Sequence, residues 1–343
     1  MTLHLELADV VTVALECRVC GGETEPVLDL GAQGFARFVD SVAEEVPVAP
    51  LELDYCASCH AMQLRHSVHR ERLFARYWYR SGINRTMREH LKGLAQDLKQ
   101  RGDFKAILDI GSNDGTFLNE FEGIELVGFE PSDVADETTG DATVFKEFFN
   151  AEVLNGKRFG LITSIAMFYD LEEPDVFCQD VAECLEDDGI WCLEMNYLGD
   201  MVRNAAYDFV EHEHVVLYFL STLNRVVRRN GLEVFDIERN EINGGSMRAF
   251  IGHRGKRPTS NSVDRFLANE APLRGPQSIK RFRHKAVRNI ETLRNWLQDA
   301  KRTGKSVYGY GASTRGSTTL QAIGADEALI QGIAELNPAK IGT

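Results

Sequence analysis

The chain has 343 residues, with 38 basic against 52 acidic side chains and a formal charge of −14 at neutral pH. That length allows two or three domains, and the acidic surplus argues against nucleic-acid binding, which needs a basic face to neutralise phosphates. No apolar run approaches the roughly 20 residues of a membrane span, and Glu6 and Asp9 stand where a signal peptide would be positive, so a cytoplasmic protein acting on small molecules, away from any membrane, is expected.

Four of the seven cysteines fall in two C-x-x-C pairs, Cys17-Arg-Val-Cys20 and Cys56-Ala-Ser-Cys59, with 35 residues between them. Each pair offers two thiolates to one tetrahedral ion, and four thiolates close the coordination sphere, so the expected metal is a structural zinc. A redox or disulfide pair, or His60 or His66 in place of one cysteine, are the alternatives. Between the pairs, residues 26–31 and 50–55 alternate like short strands, which gives a metal-stapled module over residues 12–66.

The composition then changes. Arg65, Arg70, Arg72, Arg76, Arg80, Arg85 and Arg88 surround Tyr77-Trp78-Tyr79, a set that suits either bidentate contacts to an anion or a solvated face with its aromatics inside. Met87, Leu91, Leu94 and Leu98 recur at helical spacing up to Gly102, predicting a helix that packs on a sheet. Residues 67–100 read as a connecting segment.

The centre of the chain is Asp109-Ile-Gly111-Ser112-Asn113-Asp114-Gly115. An apolar run suited to a doubly buried strand precedes it, and residues 116–121 read as a helix start. Strand, glycine turn and helix place this stretch at the carboxyl end of a strand in an open α/β sheet, where nucleotide-like ligands bind; a glycine turn that joins strand to helix and holds no ligand is the alternative. The following strand ends in Glu130, whose oxygens suit the two hydroxyls of a ribose. Asp114 inside the turn would repel a pyrophosphate. The better ligand is cationic at its centre and lacks phosphate, which describes S-adenosylmethionine.

Further strands are predicted at 143–145, 159–165, 189–195, 232–237 and 247–251, seven in all and mostly parallel. Cys178, Cys184 and Cys192 read as buried apolar residues. His212-Glu213-His214 follows the fifth strand. Two histidines two residues apart lack the third ligand a metal needs, whereas an imidazole oriented by a neighbouring glutamate suits a general base; a purely structural pair is the other reading. Residues 278–302 form an amphipathic helix, and Tyr308-Gly-Tyr-Gly-Ala-Ser-Thr-Arg-Gly316 is a second strand and glycine turn, whose amides suit a phosphate or serve the turn alone. A last strand is predicted at 329–336.

Taken together, the cysteine pairs, Tyr77-Trp-Tyr79-Arg-Ser-Gly82, the turn at 109–115, His212-Glu-His214, Asn243-Gly-Gly-Ser-Met-Arg248 and the turn at 308–316 resemble the zinc-containing sugar C-methyltransferases that act on nucleotide-linked deoxyketosugars. The resemblance implies an α/β fold: a class I methyltransferase core, Rossmann-like and seven-stranded, with an N-terminal zinc-binding module and a partial C-terminal Rossmann-like domain. It implies a methyltransferase domain over 101–253 and a long helix with the C-terminal domain over 254–343. It further implies zinc on Cys17, Cys20, Cys56 and Cys59, and S-adenosylmethionine on Asp109, Gly111, Ser112, Asn113, Asp114, Gly115 and Glu130. Tyr77, Tyr79, Glu213 and His214 would line the site of chemistry, with His212 as a second candidate base. The implied reaction is C-methylation of a nucleotide-linked 4-keto-deoxysugar through an enolate; transfer to oxygen or nitrogen of another acceptor, or a silent zinc-stapled binding protein, are the alternatives. Arg315 and Ser317 replace the lysine and asparagine usual in relatives, and residues 215–218 are less polar. Relatives also continue past Gly342, which implies a truncated form or a last domain finished another way.

Overall fold

The computed structural model describes residues 11–35, 38–39, 46–74, 77–337 and 340–342; Glu6, Asp9 and Arg76 lie outside them. The chain divides into two units. One comprises Met1–His69, Leu198–Leu217 and Ala271–Thr343, the other Arg70–Tyr197 and Tyr218–Glu270.

The second unit is built on seven strands, β1 (Ala106–Ile110), β2 (Glu125–Phe129), β3 (Thr143–Phe145), β4 (Phe159–Ile165), β5 (Leu185–Asn196), β6 (Leu232–Asn240) and β7 (Ser246–His253). Their order across the sheet is β6-β7-β5-β4-β1-β2-β3. β7 runs antiparallel to both β5 and β6, and the remaining pairs are parallel. The seven expected strands are all present. Every residue of β1 is buried, as an apolar run with a layer on each face requires. One layer is the helix Arg85–Arg101, whose Leu91, Leu94, Ala95 and Leu98 pack with Ile107, Leu161, Ile190 and Phe250. Asn84 starts this helix by accepting the Thr86 amide at 2.9 Å. The helix Leu220–Arg229 is started by Glu270, which accepts the amides of Leu220 at 2.8 Å and Ser221 at 2.9 Å.

One expectation is corrected. The helix predicted after the glycine turn at 111–115 is a single 3-10 turn, Leu118–Glu120. Only 14 residues separate Ile110 from Glu125, and a parallel crossover consumes about a dozen. Phe117, Leu118 and Phe121 still enter the core.

In the first unit, the strands Glu25–Gly34, Val48–Tyr55 and Met62–Leu64 form an antiparallel sheet, and Val216–Leu217 adds its edge strand. The helix Pro276–Arg302 matches the amphipathic stretch and buries Ile279, Phe282, Ala286, Ile290 and Leu297. The last two predicted strands shorten to Gly309–Tyr310 and Ile333–Ala334, which pair in parallel. They frame the helix Thr314–Ile323.

Candidate functional site

After β1 the chain turns through Gly111, Asn113 and Gly115 with φ of +78°, +51° and +76°. A Cβ on Gly111 would stand 3.1 Å from Met167 Cγ, and one on Gly115 would stand 2.6 Å from Thr138 Cγ2, so glycine is required for space as well as torsion. Asp109 lies beneath the turn and accepts the Thr163 hydroxyl at 2.6 Å. Burial pushes its carboxyl up to about 7; the Thr163 bond opposes the shift and the Glu130 charge adds to it. Glu130 Oε2 accepts the Asn113 amide and Oε1 the Ser132 amide, each at 3.0 Å. Each oxygen keeps a second lone pair, which is what a ribose hydroxyl would use. Ser112 Oγ is buried with no hydrogen-bond partner among the described residues. Two acidic side chains, an unsatisfied hydroxyl and side-chain-free turns fit a sulfonium nucleoside, and the turn and Glu130 are the residues that would hold it.

The segment 77–82 is fastened to this turn. Asn113 Oδ1 accepts the Ser81 amide at 2.8 Å while its Nδ2 donates to the Tyr79 carbonyl at 3.1 Å. Asp114 Oδ2 accepts the Gly82 amide at 2.7 Å, and Asp133 accepts the Tyr77 amide at 2.9 Å. Asp114, expected to select against phosphate, therefore also has a structural duty. Tyr79 is 41% exposed, and partial desolvation moves its phenol further above the ordinary value near 10, so it stays a neutral donor at physiological pH. Three arginines of this region serve the protein's own acceptors: Arg80 pairs with Glu137 at 2.6 Å, Arg85 with Glu89 at 2.7 Å, and Arg88 bonds the Ile83 carbonyl at 3.0 Å. In the first unit Arg65 is bidentate on Asp54, with its Nη2 at 2.7 Å.

Also in the first unit, residues 211–214 form a turn closed by the His214 amide on the Glu211 carbonyl at 3.0 Å. Such a turn brings its first and last residues to one side. Side-chain atoms of Glu211, Glu213 and His214 accordingly lie within 4.8 Å of one another. His214 is buried, stacks on Phe209 with ring centroids 4.1 Å apart, and its Nδ1 lies 2.7 Å from the Phe209 carbonyl. A carbonyl only accepts, so the proton is on Nδ1 and the lone pair on Nε2. Burial holds the imidazole down at about 4, hence neutral. His212, in the middle of the turn, instead reaches the Ala49 carbonyl at 3.2 Å and packs edge-on against Phe35. The histidine pair thus does not converge on one point. Glu211 was missed by sequence reasoning; its signal was the tetrad Glu-His-Glu-His, in which positions one, three and four meet.

The four sulfurs of Cys17, Cys20, Cys56 and Cys59 lie within 4.8 Å of one another, with Cys17–Cys59 and Cys20–Cys56 both 3.5 Å apart and no disulfide. Zn–S bonds of about 2.3 Å imply sulfur separations near 3.8 Å, so the cluster fits one tetrahedral zinc. The hydrogen bond from Cys59 holds Cys17 down at about 5, ready as a thiolate. Gly21 and His60 both have φ of +68°, at the turns of the two knuckles. His60 Nδ1 is 2.8 Å from the Tyr55 hydroxyl, a role outside the cluster. In the C-terminal turn, Ser313 Oγ accepts the Gly316 amide at 3.0 Å and Glu335 accepts the Ala312 amide at 2.6 Å, so these two amides already have partners. Arg315 pairs with Asp208 at 2.6 Å.

A methyltransferase domain model matches residues 59–237, just over half of the chain; a zinc binding domain matches 17–74 and a C-methyltransferase C-terminal domain 241–343. C-methyltransferase NovU of Streptomyces niveus is 27% identical over 338 residues, covering 93% of this chain and 80% of its own length. Among solved structures, a magnesium protoporphyrin IX methyltransferase from Synechocystis with bound SAH is 12% identical with a TM-score of 0.40, covering 49% of this chain and 87% of that one. The CcbJ methyltransferase from Streptomyces caelestis is 10% identical with a TM-score of 0.38, covering 48% and 89%.

Proposed function

This chain belongs to the zinc-containing, S-adenosylmethionine-dependent C-methyltransferases, and from that premise we propose that it methylates a carbon next to the ketone of a nucleotide-linked 4-keto-deoxysugar. The observation that carries the reading is His214: neutral, fixed by the Phe209 carbonyl, with its lone pair on Nε2. A C–H beside a ketone is acidic enough for such a base. Nε2 takes the α-proton, and the electron pair moves onto the keto oxygen. Hydrogen bonds from Tyr77 or Tyr79, or from Glu213 in its protonated form, then matter most, because the oxygen is negative only after the proton has gone. S-adenosylmethionine, when bound at the turn and Glu130, supplies the methyl group. Zinc on the four cysteines fixes the N-terminal fold and takes no part in the chemistry, since four thiolates leave no open position.

The test is a panel of nucleotide-linked 4-ketosugars incubated with the protein and S-adenosylmethionine. A mass gain of one methyl group on a sugar carbon is expected. Methyl gain only on oxygen or nitrogen would overturn the assignment.

A further inference from the structure

The charge on the keto oxygen is removed altogether if a group gives that oxygen a proton while His214 removes one from the adjacent carbon. An ionised Glu213 cannot do this, because a carboxylate only accepts. The missing proton has a place in the turn. Glu211 is only 3% exposed, and its Oε1 is buried with no hydrogen-bond partner among the described residues. It sits within 4.8 Å of Glu213 and His214 because the turn's closing bond brings position 211 to position 214.

We propose, resting on the enolisation reading above, that Glu211 and Glu213 share one proton at neutral pH, Glu211 storing it and Glu213 presenting it to the substrate oxygen as His214 takes the α-proton. With Glu211 buried and Glu213 half-buried beside it, ionising both carboxyl groups at once is disfavoured. The groups facing Glu211 divide by sign. Glu213 on its own turn and Asp208 favour the proton, while the Thr314 hydrogen bond and the Arg315 charge from the helix Thr314–Ile323 oppose it. Arg315 is matched by Asp208 at 2.6 Å, which weakens its opposition. Burial dominates, followed by the Glu213 charge, and the Glu211 carboxyl is pushed up to about 8.

The proton count closes. As the C–H bond breaks, its proton goes to Nε2 of His214 and its electron pair becomes the C=C bond, while the carbonyl oxygen takes the proton from the carboxyl pair. When the C–CH3 bond forms and the S–CH3 bond breaks, the C=O bond is restored and the hydroxyl proton returns to the pair. One proton remains on His214, to be lost to solvent. Glu211 is thus a positioning residue acting through Glu213.

Glu211→Gln keeps the size of the side chain and removes its acidic proton. In the parent, kcat/KM for the ketosugar is expected to fall above about pH 8; in E211Q that alkaline limb should vanish and α-hydrogen exchange with heavy water at pH 7 should slow about 100-fold. Calorimetric affinity for S-adenosylmethionine and zinc content should stay at parental values. Infrared difference spectra of sugar-free protein should show two protonated carboxyl bands: one from Asp109, lost near pH 7 in every variant, and a second that is lost near pH 8 in the parent, is absent in E211Q, and titrates at lower pH in Glu213→Gln. The infrared measurement requires no substrate, so it judges the carboxyl pair even if the ketosugar reading fails, and Glu213→Gln carries it if E211Q does not fold. An unchanged alkaline limb in E211Q, a parental band that titrates with ordinary carboxylates, or a divalent ion besides zinc that E211Q fails to retain would each overturn the proposal.

Discussion

Asp114 accepts the Gly82 amide at 2.7 Å, a bond between the tip of the glycine turn and a segment 32 residues earlier in the chain. Together with Asn113 on Ser81 and Tyr79, it makes the position of Tyr77 and Tyr79 depend on the turn that would hold the methyl donor. Binding at one would then be felt at the other.

Asp114→Ala removes a charged acceptor, worth about 1.5–3 kcal/mol, or roughly 10- to 100-fold in local opening. Amide exchange of Ser81 and Gly82, followed by mass spectrometry, should accelerate by that factor. Unchanged protection would show that the segment is held by other contacts.

For the donor itself, Gly111→Val places a branched side chain at φ +78° and drives its Cβ toward Met167. Glu130→Gln keeps the shape but removes the charge that accepts the Asn113 and Ser132 amides. Both variants should bind S-adenosylmethionine at least ~10-fold more weakly by calorimetry, a loss of about 1.4 kcal/mol. Parental affinity in both would place the donor elsewhere.

One zinc per chain is expected by metal analysis. Cys17→Ser, or removal of the ion by a strong chelator, should unfold the first unit, because structural zinc binding contributes about 10 kcal/mol or more to such modules. Soluble, fully folded protein without zinc would contradict this.

His214→Asn should bind donor and sugar nucleotide nearly as well as the parent yet transfer methyl at least ~100-fold more slowly. The parent should exchange the sugar's α-hydrogen with heavy water when a non-transferring donor analogue is bound, and the variant should not. Exchange at the parental rate would remove His214 as the base and turn attention to His212 or Tyr79.

The two histidines also set a pH dependence of stability. Burial depresses both to about 4, below their ordinary value near 6.5. In the window between, the unfolded chain takes up protons that the folded protein refuses, so stability falls as pH falls, by about 1.4 kcal/mol per unit for each imidazole. Urea unfolding at several pH values should show this slope, and His212→Asn should flatten it. An equal slope in that variant would mean that other groups govern acid unfolding.

Much of the fold was legible because its signals are local. The seven strands follow from apolar runs, the helix Arg85–Arg101 from Leu91, Leu94 and Leu98, and the zinc cluster from paired cysteines that need only two short knuckles to meet. What stayed hidden depends on distance or on the reuse of a residue. Asp114 reads as an electrostatic filter and is also a clasp for Gly82. Glu211 reads as one more acid in an acidic chain until the turn carries it to His214. His212 and His214 look like a pair, yet one faces the Ala49 carbonyl and the other the Phe209 carbonyl. The arginine run between 65 and 88 invites an anion, but pairing with carboxylates from distant positions, such as Arg80 with Glu137, is invisible in one dimension.

The discontinuity of the first unit has a consequence for biosynthesis. Its sheet is finished by Val216–Leu217 on Met62–Leu64, and the Tyr55 hydroxyl donates to the Arg274 carbonyl. The edge strand leaves the ribosome about 150 residues after its partner, a delay of roughly ten seconds or more at ~5–20 residues per second. All four cysteines, however, emerge within the first 59 residues. The nascent module can therefore capture its ion long before its sheet is complete, and zinc bound during translation, rather than after it, holds the two knuckles together through the interval in which that edge is open.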